Sequence, residues 1–155
     1  MKPPTRKAMM ERLEFFTGTW TVEIIHPHIQ PNPIVGRSHF EWLDEAYIIQ
    51  RTQIDRPEFP DSTIIYDWNP ASNLYVQHYF DSRGVTRLYQ MRFEGGVWKL
   101  WREKADFSSL DFHQRFIGTI DETGNEIEGK WEQSQDGTLW KPDFKLAFRR
   151  KTDLL

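Results

Sequence analysis

The sequence predicts an all-β fold: a roughly ten-stranded antiparallel up-and-down barrel with one N-terminal helix. Three observations support this prediction. Aromatic residues make up 15% of the 155 residues, and aromatic side chains favour strands. Glycine-containing turns separate short strand-like runs at even spacing. Several of these runs alternate between apolar and charged positions, as expected of a sheet with one face in water.

One helix is predicted, over about residues 5–16. Pro3 prevents regular structure from starting earlier, Thr5 has the side chain of a typical helix N-cap, and Gly18 ends the segment. The apolar residues between them recur at spacings of four and three, the period of a helix with one buried face. These residues are Met9, Leu13 and Phe16.

The rest of the chain is predicted to form ten short strands. No helical pattern intervenes between the turns at 81–84, 94–96, 121–125 and 135–137, which indicates an antiparallel meander. Closure of the meander into a barrel leaves no strand edge exposed, and a two-sheet sandwich is the alternative that fits the same alternation. We expect residues 1–155 to form a single domain. The predicted strands lie at about 18–26, 35–42, 46–54, 62–68, 74–81, 84–94, 97–104, 112–121, 125–134 and 142–150.

The ninth predicted strand shows the alternation most clearly. Every even-numbered residue from Glu126 to Glu132 is charged, whereas Ile127 and Trp131 stand at odd positions. This pattern predicts a strand with one face in water and the other face covered, which is what the wall of a barrel requires.

Composition excludes several classes of protein. Lysine and arginine number 20 against 23 acidic residues, a net charge of −3, so the basic surplus of a nucleic-acid-binding protein is missing. The absence of cysteine excludes disulfides and thiolate metal sites. No run approaches the ~20 apolar residues of a membrane span, and no signal peptide is recognisable. We therefore expect a cytoplasmic protein without metal, membrane or nucleic-acid partners, and its oligomeric state stays open, a homodimer included.

Polar residues share strand faces with large apolar ones, which predicts an internal pocket. Burying an unpaired polar group in a solid core costs roughly 1–3 kcal/mol, whereas a partly hydrated cavity tolerates it. A filled core is the alternative, because a β-bulge would turn these side chains to the other face. The candidate ligand-binding residues are Arg51, Tyr66, His78, Phe80, Tyr89, Met91, Trp98, Arg102, Gln114, Phe116 and Trp131.

A helix followed by Gly18-Thr19-Trp20, then a meander that ends in Arg149 and Arg150, resembles the calycin superfamily of lipocalin, fatty-acid-binding-protein and nitrobindin-like barrels. The resemblance implies that Trp20 closes one end of the barrel under one of the two arginines. Three further phrases are similar to an uncharacterised bacterial family of about this length. They are FEWLD at 40–44, YFDSRGV at 79–85 and GKWE at 129–132.

The resemblance raises the question of haem, because nitrobindin-like proteins hold haem through a histidine near the end of the chain. Here no histidine follows His113. The sequence therefore disfavours a haem cofactor, and His78 or His113 would have to serve as the axial ligand.

The leading functional hypothesis is binding of a small, largely apolar ligand, with or without an anionic group, inside the barrel. The first alternative is a small isomerase or decarboxylase that uses a pocket carboxylate or tyrosine, with Glu41 and Tyr89 as the candidates. The second alternative is a non-catalytic barrel that binds another protein through a rim loop or residues 57–61. No residue is assigned a catalytic role.

Overall fold

A short helical segment precedes ten antiparallel strands in the computed structural model, which describes residues 2–107 and 111–151. Helix α1 spans Arg6–Glu11 and continues as a 3-10 helix over Arg12–Phe16. The strands are β1 (Gly18–Ile25), β2 (Ile34–Leu43), β3 (Tyr47–Ile54), β4 (Ser62–Asn69), β5 (Leu74–Asp81), β6 (Thr86–Glu94), β7 (Val97–Arg102), β8 (His113–Ile120), β9 (Glu126–Ser134) and β10 (Lys141–Arg150).

The ten strands close into a barrel. Each strand pairs antiparallel with its neighbours in sequence, and β1 completes the circle by pairing with β10, where Trp20 lies opposite Arg150. The predicted all-β, ten-stranded up-and-down barrel is therefore confirmed, and the sandwich alternative is wrong. Within residues 2–107 and 111–151, no helix has the length and apolar character needed to cross a lipid bilayer.

Local sequence signals account for the element boundaries. Every strand begins and ends within two residues of its predicted bounds, since the turn residues mark them. Thr5 caps α1 as expected, with its Oγ1 accepting a hydrogen bond from the Ala8 amide at 3.1 Å. The second half of the predicted helix is 3-10 rather than α, a tightening that is common in last turns.

The helical segment covers one end of the barrel, which we call the floor. Met10, Leu13 and Phe16 are buried, at 2%, 0% and 1% exposure. The Phe16 ring centroid lies 5.4 Å from that of Phe40 and 4.8 Å from that of Trp98. The apolar face predicted for the helix is thus the face that seals the floor.

Trp20 lies in this floor beneath the guanidinium group of Arg150. The Cζ atom of Arg150 is 4.1 Å from the Trp20 ring centroid, and Arg150 donates hydrogen bonds to the carbonyl oxygens of Thr17 (3.0 Å) and Phe15 (2.7 Å). Arg149 points outward instead and pairs with Glu23 at 2.7 Å. Of the two arginines left open by the sequence, Arg150 is the one that covers Trp20.

Candidate ligand-binding cavity

A cavity of about 330 Å³ lies inside the barrel and reaches the end opposite the floor, which we call the mouth. Side chains from nine strands, all except β2, line it. At the mouth the lining comes from the 55–61 segment between β3 and β4 and from Arg83 in the turn between β5 and β6. The volume is at the lower end of the range of roughly 300–1,000 Å³ that is usual for small-molecule pockets.

One wall of the cavity is aromatic. The ring of Phe116 lies 5.2 Å from that of Trp98 and 5.4 Å from that of Trp131, measured between centroids. Trp98 also contacts Phe148 at 5.7 Å. Rings at these distances and angles pack favourably and present a broad apolar surface to the cavity.

Two facing glycines determine where the Phe116 ring lies. Gly118 in β8 is paired with Gly129 in β9, and both stand on the inner face. A Cβ atom at Gly129 would come within 2.3 Å of the Phe116 ring, so any larger residue would push the ring away. The glycines let Phe116 lie flat against the sheet, which leaves the centre of the barrel open.

The opposite wall carries a buried network of polar side chains. Gln50 donates hydrogen bonds to the hydroxyls of Ser38 (2.7 Å) and Thr52 (3.2 Å) and accepts one from Tyr66. Gln77 donates to the Tyr66 hydroxyl at 3.0 Å. Burial raises the pKa of Tyr66, so its hydroxyl stays protonated and remains a donor.

Three charged side chains line the cavity near the mouth, and two of them have opposite charges as partners. Glu58 pairs with Arg56, and the hydrogen bond from Arg56 lowers the pKa of Glu58. Arg83 pairs with Asp81 at 2.7 Å. Burial opposes ionisation of Asp81, but hydrogen bonds, first from Arg83, lower its pKa. The third charged residue, Arg87, faces the lumen from the second position of β6.

Aromatic rings also border the mouth. Phe59 of the 55–61 segment contacts Phe144 edge-to-face at 6.4 Å, and the ring of His26 stacks on Phe144 at 6.1 Å. The segment is tied to the β5–β6 turn, because the amide of Asp61 donates to the Ser82 hydroxyl at 3.1 Å and the Ser82 amide donates to the Asp61 carbonyl at 2.9 Å. The mouth is thus bordered by rings from two loops and from the start of β10.

The structure places eight of the predicted ligand-binding residues on the inner face. Tyr66 is engaged with Gln50 and Gln77, and Met91 accepts a hydrogen bond from the indole of Trp98 at 3.4 Å. Arg102 is buried in an ion pair with Asp106 at 2.8 Å. None of these three side chains is part of the cavity lining. The predicted residues that line the cavity are Tyr89, Trp98, Gln114, Phe116 and Trp131.

Four expectations about orientation were wrong. Glu41 and Arg51 lie on the outer face, half exposed, and pair with each other at 2.9 Å. His78 and Phe80 also point outward, because the inner face of β5 carries Tyr75, Gln77 and Tyr79, and Phe80 is 42% exposed. In β5 either face is apolar enough to be buried. In β2 and β3 the side chains of Phe40 and Gln50 enter the core, so the next residues, Glu41 and Arg51, point outward.

Sequence reasoning missed several lining residues, notably Gln50, Gln77 and Tyr79. The pairing of neighbouring strands could have identified these three residues. Tyr79 lies opposite Arg87, Gln77 opposite Tyr66, and Gln50 opposite Phe40. Since opposed residues in antiparallel strands share a face, a correct orientation for one strand determines its neighbour.

The lining does not fit haem held by a histidine. No histidine is among the described residues that line the cavity, and His78 and His113 both alternate with inward-facing neighbours and so point outward. Within the described residues, no three histidine or acidic side chains are grouped as metal ligands would be.

Of three comparisons with known proteins, the one with solved structures supports the fold. No protein-family model matches the chain, and no curated protein matches its sequence. Among solved structures, the crystal structure of Rv2717c from M. tuberculosis is similar, with a TM-score of 0.59 over 92% of this chain and 97% of that chain. The two sequences are 14% identical, so the similarity supports the fold alone.

Proposed function

We propose that the protein binds a small, largely apolar ligand inside the barrel. The observation that carries this proposal is the cavity of about 330 Å³, which is far larger than the voids of a close-packed protein interior. Its lining combines aromatic rings and aliphatic side chains with a few polar groups, the composition typical of a small-molecule site. We further propose kinship with the calycin superfamily, which the contact between Trp20 and Arg150 supports.

Binding has better support than catalysis. Glu41, the leading candidate for an acid or base, is on the outer face, where its side chain is 50% exposed. Among the described residues the cavity is lined by a single acidic group, Glu58, which Arg56 holds ionised. Burial raises the pKa of Tyr89, so this tyrosine remains a hydrogen-bond donor rather than a base.

A pair of matched substitutions on β1 tests the proposal. Ile24 lines the cavity, whereas its neighbour Ile25 points outward and is 50% exposed. We expect the native protein to bind neutral apolar probes, 1-naphthol and 1-decanol, with one-to-one stoichiometry in calorimetric titrations. Ile24→Trp fills the lumen and should weaken binding by about tenfold or more, equivalent to about 1.4 kcal/mol.

Ile25→Trp adds the same volume outside the barrel and should leave the affinity for both probes unchanged. Melting temperatures of the two variants, measured without ligand, show whether each has folded. The proposal is wrong if the native protein binds neither probe, or if the two substitutions weaken binding equally while both variants remain folded.

A further inference from the structure

Among the described residues, Arg87 is the charged residue of the cavity lining that forms no ion pair. The other two charged lining residues, Glu58 and Arg83, are paired with Arg56 and Asp81. No aspartate or glutamate in residues 2–107 and 111–151 forms an ion pair with Arg87. Within the described part of the chain, the wall near the mouth therefore presents one positive charge to the lumen that has no ion-pair partner.

The hydrogen bonds of Arg87 are also incomplete. Its Nη1 atom is 3.5 Å from the Tyr89 hydroxyl and 3.4 Å from Gln114 Oε1, beyond the usual N–H···O distance of about 2.7–3.2 Å. Its Nε atom is buried and has no hydrogen-bond partner among residues 2–107 and 111–151. The long contacts of Nη1 leave its N–H groups weakly satisfied, so an acceptor that enters the cavity beside Nη1 would be bound favourably.

The surrounding groups suit a carboxylate as that acceptor. A guanidinium presents two parallel N–H donors that match the two oxygens of a carboxylate. The Tyr89 hydroxyl donates a hydrogen bond to Gln114 Oε1 at 3.0 Å, so the amide nitrogen of Gln114 is not used in this contact. Within the described residues the amide nitrogen of Gln114 donates to no other side chain, so it is a second donor in the lining near Arg87.

The charged residues of the lining all lie at the mouth of the cavity. Arg87 stands at the mouth, opposite Tyr79, near the start of β6. Toward the floor the lining becomes Trp98, Leu100 and Phe148. The amides of Gln50 and Gln77 lie in the opposite wall, where they are tied to Tyr66. A ligand that satisfies both ends carries its charge at the mouth and its apolar part below.

We infer that the cavity binds an amphipathic monocarboxylate, with the carboxylate on Arg87 and the apolar tail directed toward Trp98 and Phe148. This inference rests on the proposed function and adds to it the charge and the orientation of the ligand. It predicts a preference for anionic head groups that depends on one side chain.

A head-group series tests the inference, with decanoate, 1-decanol and decylamine titrated into the same protein by calorimetry. The native protein should bind decanoate about tenfold or more tightly than 1-decanol, and decylamine most weakly. R87M should weaken decanoate binding by about 10- to 100-fold and leave 1-decanol binding unchanged. R87K keeps the charge but not the two parallel donors, so it should give an intermediate affinity for decanoate.

R92M is the matched control, because Arg92 lies on the same strand but is exposed on the outer face. It should leave the affinities for all three probes unchanged. Unchanged binding of 1-decanol by R87M shows that this variant is folded. Equal affinities of the native protein for decanoate and 1-decanol would overturn the inference and leave the proposed function intact. Failure to bind any of the three probes would overturn the proposed function itself.

Discussion

Replacing Phe16 with alanine is expected to lower the free energy of unfolding by about 3–5 kcal/mol. The Phe16 side chain is 1% exposed and contacts the rings of Phe40, Phe93 and Trp98 in the floor. Alanine would leave a cavity among rings that are held by separate strands and cannot close around it. Urea denaturation followed by circular dichroism measures the change.

Phe80→Ala is the control for this substitution, because it removes the same ring from the outer face of β5, where Phe80 is 42% exposed. Its effect should stay within about 0.5 kcal/mol, as is usual for surface positions. Similar losses from both substitutions would contradict the assignment of the helical segment as the floor of the barrel.

Replacing Arg150 with methionine is expected to lower the free energy of unfolding by about 2–3 kcal/mol. The substitution retains much of the side-chain volume over Trp20 but removes the donors to the carbonyl groups of Phe15 and Thr17. Burial lowers the pKa of Arg150, but these hydrogen bonds and the contact with the Trp20 ring favour the charged form.

Arg149→Met provides the comparison at the adjacent position. Arg149 pairs with Glu23 on the outer face, and its side chain is 42% exposed, so the loss should be about 0–1 kcal/mol. Denaturation curves of the two variants, recorded side by side, should therefore differ clearly. Equal losses would mean that Arg150 contributes no more than a surface arginine and does not close the floor.

The fold was predictable because its signals are local. Turn glycines such as Gly84, Gly95 and Gly124 adopt positive φ and mark the ends of strands. Alternation in β9 showed that one face is covered, and the cap at Thr5 marked the start of the helical segment. Each of these features depends on residues close together in the chain, so one sequence is sufficient to recognise it.

The site was predictable only in part, because it depends on which face of each strand turns inward. In β6 the sequence pattern was sufficient, since Tyr89 and Met91 share the inner face as expected. In β5 both faces carry aromatic residues, and periodicity alone could not choose between them. Arg102 points inward as predicted, but its pairing with Asp106 depends on how the chain folds back after β7, which strand patterns do not reveal.

The interior of the barrel combines a packed floor with an open cavity. The floor is densely packed with rings and sealed by Arg150, whereas the cavity above it is kept open where Gly118 and Gly129 let Phe116 lie against the wall. If the cavity binds a ligand as proposed, stability and binding depend on different parts of the interior. Substitutions in the floor should act mainly on unfolding, and substitutions in the lining mainly on affinity.

The most direct test of a hollow barrel is a crystal structure determined after soaking with 1-bromonaphthalene, with data collected at the bromine absorption edge. We expect an anomalous bromine peak inside the barrel, within contact distance of Trp98, Phe116 and Phe148. A map in which side chains fill the lumen and bromine occurs solely on the outer surface would contradict it.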